Sequence, residues 1–162
     1  MANSQAMCTS FKSQLLTATH NFGTAPIRAS TAADNFYAAL FLTSASLGPT
    51  TTAYTGTVGS VAMSGEVSGT NYIPGGVQVT NTVAPTTSGT TAYWTPSANF
   101  TYASVTLSTS FDAVFIFNNS QGSVGNRPAV SVHTFSPQTI VAGTFVLTMP
   151  VNDSSNALLR LA

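Results

Sequence analysis

Residues 99–149 read NFTYASVTLSTSFDAVFIFNNSQGSVGNRPAVSVHTFSPQTIVAGTFVLTM. Val130 and Val132 alternate with Ser131 and His133, and Phe145, Leu147 and Met149 fall two apart. Successive side chains of a strand point to opposite faces, so this period of two signals strands buried on one side. The spacing predicts strands over 99–107, 113–117, 129–135 and 139–149, parted by Ser, Asn, Gly and Pro turns. Working outward, the same signals place strands at 77–83, 90–95 and 158–161. The run FYAALFL at 36–42 is apolar throughout, which predicts a strand covered on both faces. Residues 43–76 are rich in Thr, Ser and Gly and read as long loops with short edge strands.

One segment has helical spacing. Met7, Phe11 and Leu15 recur at i, i+4 and i+8, which predicts a helix over 5–17 that Gly23 and Pro26 keep from continuing. The expected fold is mainly β, an antiparallel β-sandwich or jelly roll with one short N-terminal helix. The expected organisation is a helical arm over 1–25 and a single β-sandwich domain over 26–162.

Charge is scarce. Among 162 residues there are four cations, Lys12, Arg28, Arg127 and Arg160, and four anions, Asp34, Glu66, Asp112 and Asp153. Against these stand 26 Thr and 20 Ser. An ordinary domain is about 25% charged, and this chain is 5% charged with no net charge. Four scattered cations make no phosphate-binding stripe and no polybasic patch, so neither nucleic acid nor membrane is an expected partner. No apolar run approaches the roughly 20 residues of a membrane helix, and the first twelve residues lack a signal-peptide pattern. A single Cys8 closes no intrachain disulfide, which points to a reducing compartment.

The chemistry-bearing residues are correspondingly few. A catalytic reading pairs His133 with Asp112 over one of the many hydroxyls; the plainer reading makes His133 a strand-face residue bonded to a neighbour. No nucleophile elbow and no metal-ligand spacing occurs, so no catalytic residue, metal or cofactor is expected, and the chain reads as a non-enzyme. Asp153, within VNDSSN, reads as a turn residue, and Asp112 as a partner for backbone N–H groups, Arg127 or His133. Tyr54, Tyr72, Tyr93 and Trp94 read first as aromatics packed in the core or an interface, and in the alternative as platforms that stack on sugars from exposed loops.

The segments SFKSQLL at 10–16, FYAALFLTSASLG at 36–48 and GEVSGTNYIPGG at 65–76 form a sequence pattern with TTAYWTPSA at 90–98 and SFDAVFIFNNS at 110–120. AVSVHTF at 129–135 and AGTFVLTMPVNDSSNALLRLA at 142–162 complete it. The pattern resembles small virion structural proteins of tailed bacteriophages over residues 10–162, with 56–64 looking like an insertion. The resemblance implies a virion component assembled in the host cytoplasm. Some proteins of that group decorate or cement the head shell, and others are described as tail-fibre proteins. The expected function is therefore a capsid decoration protein whose partners are the major capsid protein and further copies of itself, as a dimer or trimer. The alternative is a tail-associated structural or host-glycan-binding module. Met7, Phe11, Leu15, Leu158 and Leu161 are the expected contact residues.

Overall fold

A computed structural model describes residues 2–23 and 33–162 of the chain. The boundary expected at 25/26 and the stop expected at Pro26 lie outside the described residues. In chain order the elements are β1 (Ala6–Met7), α1 (Thr9–Leu16), β2 (Phe36–Leu42), β3 (Ala53–Tyr54), β4 (Val77–Gln78), β5 (Thr86–Ser88), β6 (Thr91–Trp94), β7 (Phe100–Asn118), β8 (Arg127–Leu147) and β9 (Leu159–Leu161). Strands, with isolated bridges, make up 45% of the described residues and helix 5%. All pairings are antiparallel. A six-stranded sheet runs β1-β8-β7-β2-β4, with β3 also on β8, and a three-stranded sheet runs β5-β6-β9.

The large sheet is organised by one hairpin. β7 and β8 are 19 and 21 residues long, where the sequence predicted two shorter strands in each place. Four register irregularities between Tyr102 and Ala113 let them run on as one ribbon. Ser104 and Ala142 lie at two of them with φ of 54° and 46°. Bulges of this kind absorb extra residues and increase twist without ending the pairing.

β2 matches its predicted bounds and its predicted burial. Phe36, Ala38, Ala39, Leu40 and Phe41 are inaccessible to solvent. Direct cross-strand partners share a sheet face, so Ala38, Ile116 and Ser131 lie on one side, followed by Leu40, Val114 and His133. At the end of that side Phe36 packs on Phe22 and Trp94, the latter from the small sheet, and Phe11 of α1 packs on Phe22 and His20. The other side carries Tyr37, Ala39, Phe115 and Phe117. Tyr54 stacks on Phe117 there at 4.1 Å and 5°. The loop segment between β2 and β4 is thus part of the packed core: Val67 is buried, and its N–H bonds Leu40 O at 3.0 Å.

The helix is shorter than predicted. α1 begins at Thr9, because Ala6 and Met7 extend to pair with Val132 and Ser131 of β8 and Cys8 remains extended at ψ 138°. An eight-residue helix is marginal alone, so sheet pairing by its first residues wins. The first residues are also stitched to distant chain: Ser4 N–H bonds Leu47 O, and Cys8 N–H bonds Val130 O. Of the predicted strand at 77–83 only Val77–Gln78 pairs, while Thr86–Ser88 forms a strand the sequence reading omitted.

Candidate functional site

The three groups of the catalytic reading do not converge. His133 and Ser131 lie two apart on β8 and therefore face one way, and Nε2 of His133 is 2.9 Å from Ser131 Oγ. Burial pushes the imidazole pKa down to about 4, so the ring is neutral near pH 7. Ser131 is only 1% exposed. Asp112 instead accepts a hydrogen bond from Asn3 Nδ2 at 2.7 Å, and Arg127 donates to Gln121 O and Gly122 O. A cleft of about 460 Å³ opens beside His133, lined by Gln5, Met7, Asn156 and Arg160 among others.

Two buried carboxylates organise the rest of the polar interior. Asp34 is 5% exposed. Its Oδ2 accepts from Asn21 N–H and Asn118 Nδ2, both at 2.8 Å, and Oδ1 accepts from Gln121 Nε2 at 2.9 Å. The same Asn118 Nδ2 donates to His20 Nδ1 at 3.1 Å, which leaves His20 Nε2 to donate to Gln14 Oε1 at 2.8 Å. This cluster ties the helix exit to the ends of β2 and β7.

Glu66 forms the second cluster. It is 6% exposed, and its carboxylate accepts four hydrogen bonds. Tyr54 O–H (2.7 Å) and Met63 N–H (2.8 Å) reach Oε2, while Tyr72 O–H (2.9 Å) and Gly75 N–H (2.6 Å) reach Oε1. Tyr72 Oη in turn accepts Leu40 N–H of β2 at 3.0 Å. Desolvation nevertheless holds the Glu66 pKa above the ordinary carboxylate range, and desolvation together with Glu66 raises the Tyr54 and Tyr72 phenols. The arrangement pins residues 54–75 to the sheet. The sequence reading passed over it, although Glu66 is the only charged residue between Asp34 and Asp112 and so stood out.

The aromatics considered as sugar platforms are mostly inside. Tyr54 and Tyr72 are bound into the Glu66 cluster, and Trp94 is 2% exposed with Nε1 donating to Asn81 Oδ1 and Val83 O. Tyr93 alone of the four is a half-exposed side chain outside such a cluster. Asp153 caps its own turn, accepting from the N–H groups of Ser155 and Asn156 and from the Asn156 side chain, which lowers its pKa. Among the described residues no group of three His, Cys, Asp or Glu side chains could hold a metal ion. No described helix is long and apolar enough to cross a membrane.

Four of the five predicted contact residues meet at one place. Met7, Phe11, Leu15 and Leu161 line a shallow apolar groove of about 90 Å³ between α1 and the small sheet, with Tyr93 and Trp94. Phe11, 2% exposed, belongs to the core, and Leu161 is 42% exposed. Leu158 faces the cleft beside His133.

The surface itself is the remaining functional feature. Of the charged residues described, only Lys12 and Arg160 are freely exposed; Asp34 and Glu66 are buried, and Asp112, Arg127 and Asp153 are half-buried. Of the thirteen exposed positions of β7 and β8, seven are Ser or Thr (Thr101, Ser104, Ser108, Thr109, Ser136, Thr139 and Thr144) and none is charged. No family model matches the chain, nor does any curated protein or solved structure.

Proposed function

We propose that the protein is a non-enzymatic virion structural protein of a tailed bacteriophage that decorates and cements the capsid shell. The observation that carries this reading is the nearly charge-free, hydroxyl-rich surface, on which two of the few carboxylates are withdrawn into the core. Charge normally keeps folded proteins apart. Burying Ser and Thr in a contact costs much less desolvation than burying Lys or Glu, and such contacts weaken little with salt. Its partners in this reading are the major capsid protein and other copies of itself. A protein that binds only the assembled shell shifts the assembly equilibrium toward it by mass action, and many weak copies act together.

Quantifying the protein in purified virions tests the proposal. Copies in the hundreds per particle are expected, with binding to undecorated capsids retained at about 1 M salt, where screening removes exposed ion pairing. A handful of copies per virion would instead assign the protein to the tail.

A further inference from the structure

The edge of β8 divides at His133. Before it, β3 pairs at Arg127 and Pro128, and β1 pairs at Ser131 and Val132. Beyond it, no strand other than β7 pairs with β8 among the described residues, so the backbone groups of 134–147 that point away from β7 lack a ladder partner. A free edge of this length is a template for a further strand. Proteins usually blunt such edges with charge, and none occurs from residue 128 to residue 152. Pro137 and the irregularities near Val141 and Ala142 break the edge further up. The stretch from Gly143 to Leu147 remains, with Phe145, Val146 and Leu147 in regular register against Tyr102, Thr101 and Phe100.

We propose that this stretch pairs antiparallel with the same stretch of a second copy about a two-fold axis at Phe145. Identical antiparallel strands make a self-complementary, closed contact. The register places Thr144 opposite Val146 of the second copy, a β-branched pair of the kind that stabilises sheets. Both residues are exposed in the single chain, with Val146 at 44%. On the other face Phe145 packs on the buried rings of Phe111 and Tyr102 at 5.1 and 6.1 Å and on Phe135 at 5.4 Å, and of these four rings a single chain leaves Phe145 and Phe135 half-buried. A second copy fits this edge better than a charged partner, because no charge is available to pair with one. The inference is independent of which particle the protein serves.

Sedimentation of the purified full chain tests it, at concentrations up to about 100 μM because a short edge contact is small among interfaces. The unaltered chain is expected to dimerise. The Thr144→Lys, Val146→Lys variant sets Lys against Lys across the axis and is expected to be monomeric with unchanged circular dichroism and Trp94 fluorescence. Thr144→Lys with Val146→Glu sets Lys against Glu and is expected to restore the dimer. A monomeric unaltered chain, a folded Lys/Lys variant that still dimerises, or a Lys/Glu variant that stays monomeric would each overturn the proposal. An unaltered chain that is monomeric yet binds capsids would overturn it while leaving the decoration reading standing.

Discussion

Replacing Glu66 by alanine removes the acceptor for four donors at once, and the structure allows the cost to be apportioned. The two tyrosine hydroxyls can turn: Tyr54 Oη is already 3.4 Å from Val61 O, and Tyr72 Oη keeps its bond from Leu40 N–H. The N–H groups of Met63 and Gly75 cannot turn. A buried unsatisfied donor costs about 1–3 kcal/mol, and the vacated space adds to it, so Glu66→Ala should cost about 3–5 kcal/mol. In Glu66→Gln the shape is kept, but in either amide orientation the NH₂ group faces one of the two backbone N–H groups. One orphaned donor implies a loss of about 1–3 kcal/mol.

The pH dependence has a definite sign. Because burial raises the folded-state pKa of Glu66, the folded chain holds this proton more tightly than the unfolded chain does. Stability from this group is full below the unfolded value, 4.5, and is lost as pH rises through the folded value, at about 1.36 kcal/mol per unit of separation. The gap between the unaltered chain and Glu66→Gln should therefore be widest near pH 4.5 and narrow toward neutrality. Urea unfolding followed by Trp94, the single and buried tryptophan, reads these energies. A Glu66→Ala loss below about 1 kcal/mol, or a gap that widens with pH, would refute the reasoning.

Two further outcomes test the packing. Gly76 has φ of 73°, and a Cβ there would overlap Ala38 O of β2, so Gly76→Ala should cost more than about 2 kcal/mol in the same assay; Gly59→Ala, at φ 84° with open space around it, should cost only about 1 kcal/mol. Cys8 is inaccessible and burial pushes its thiol pKa up to about 11, so Ellman's reagent should leave it unmodified in the folded chain at pH 8 and react promptly in urea; prompt reaction without urea would show that the N-terminal stitching opens readily.

The β class, the doubly covered strand at 36–42 and the turn at Asp153 were legible because each rests on local pattern: side-chain period, an unbroken apolar run, an Asp preceding Ser and Asn. The neighbourhood of His133 and Ser131 was legible for the same reason, since residues two apart on a strand share a face. The catalytic reading of Asp112 depended on a contact that local pattern cannot supply; its carboxylate meets Asn3, more than a hundred residues away.

Composition and periodicity by themselves determined a β protein poor in charge, because hydrophobic alternation and hydroxyl content are properties of short windows. Tertiary structure alone decided that Ala6 and Met7 leave the helix for the edge of β8, that paired strands fuse into one long ribbon across bulges, and that Glu66 goes inside. Strand pairing is set by partners remote in sequence, and register accommodates bulges only where those partners supply them. A carboxylate is buried only where four donors converge on it, and those donors come together only when the chain has folded.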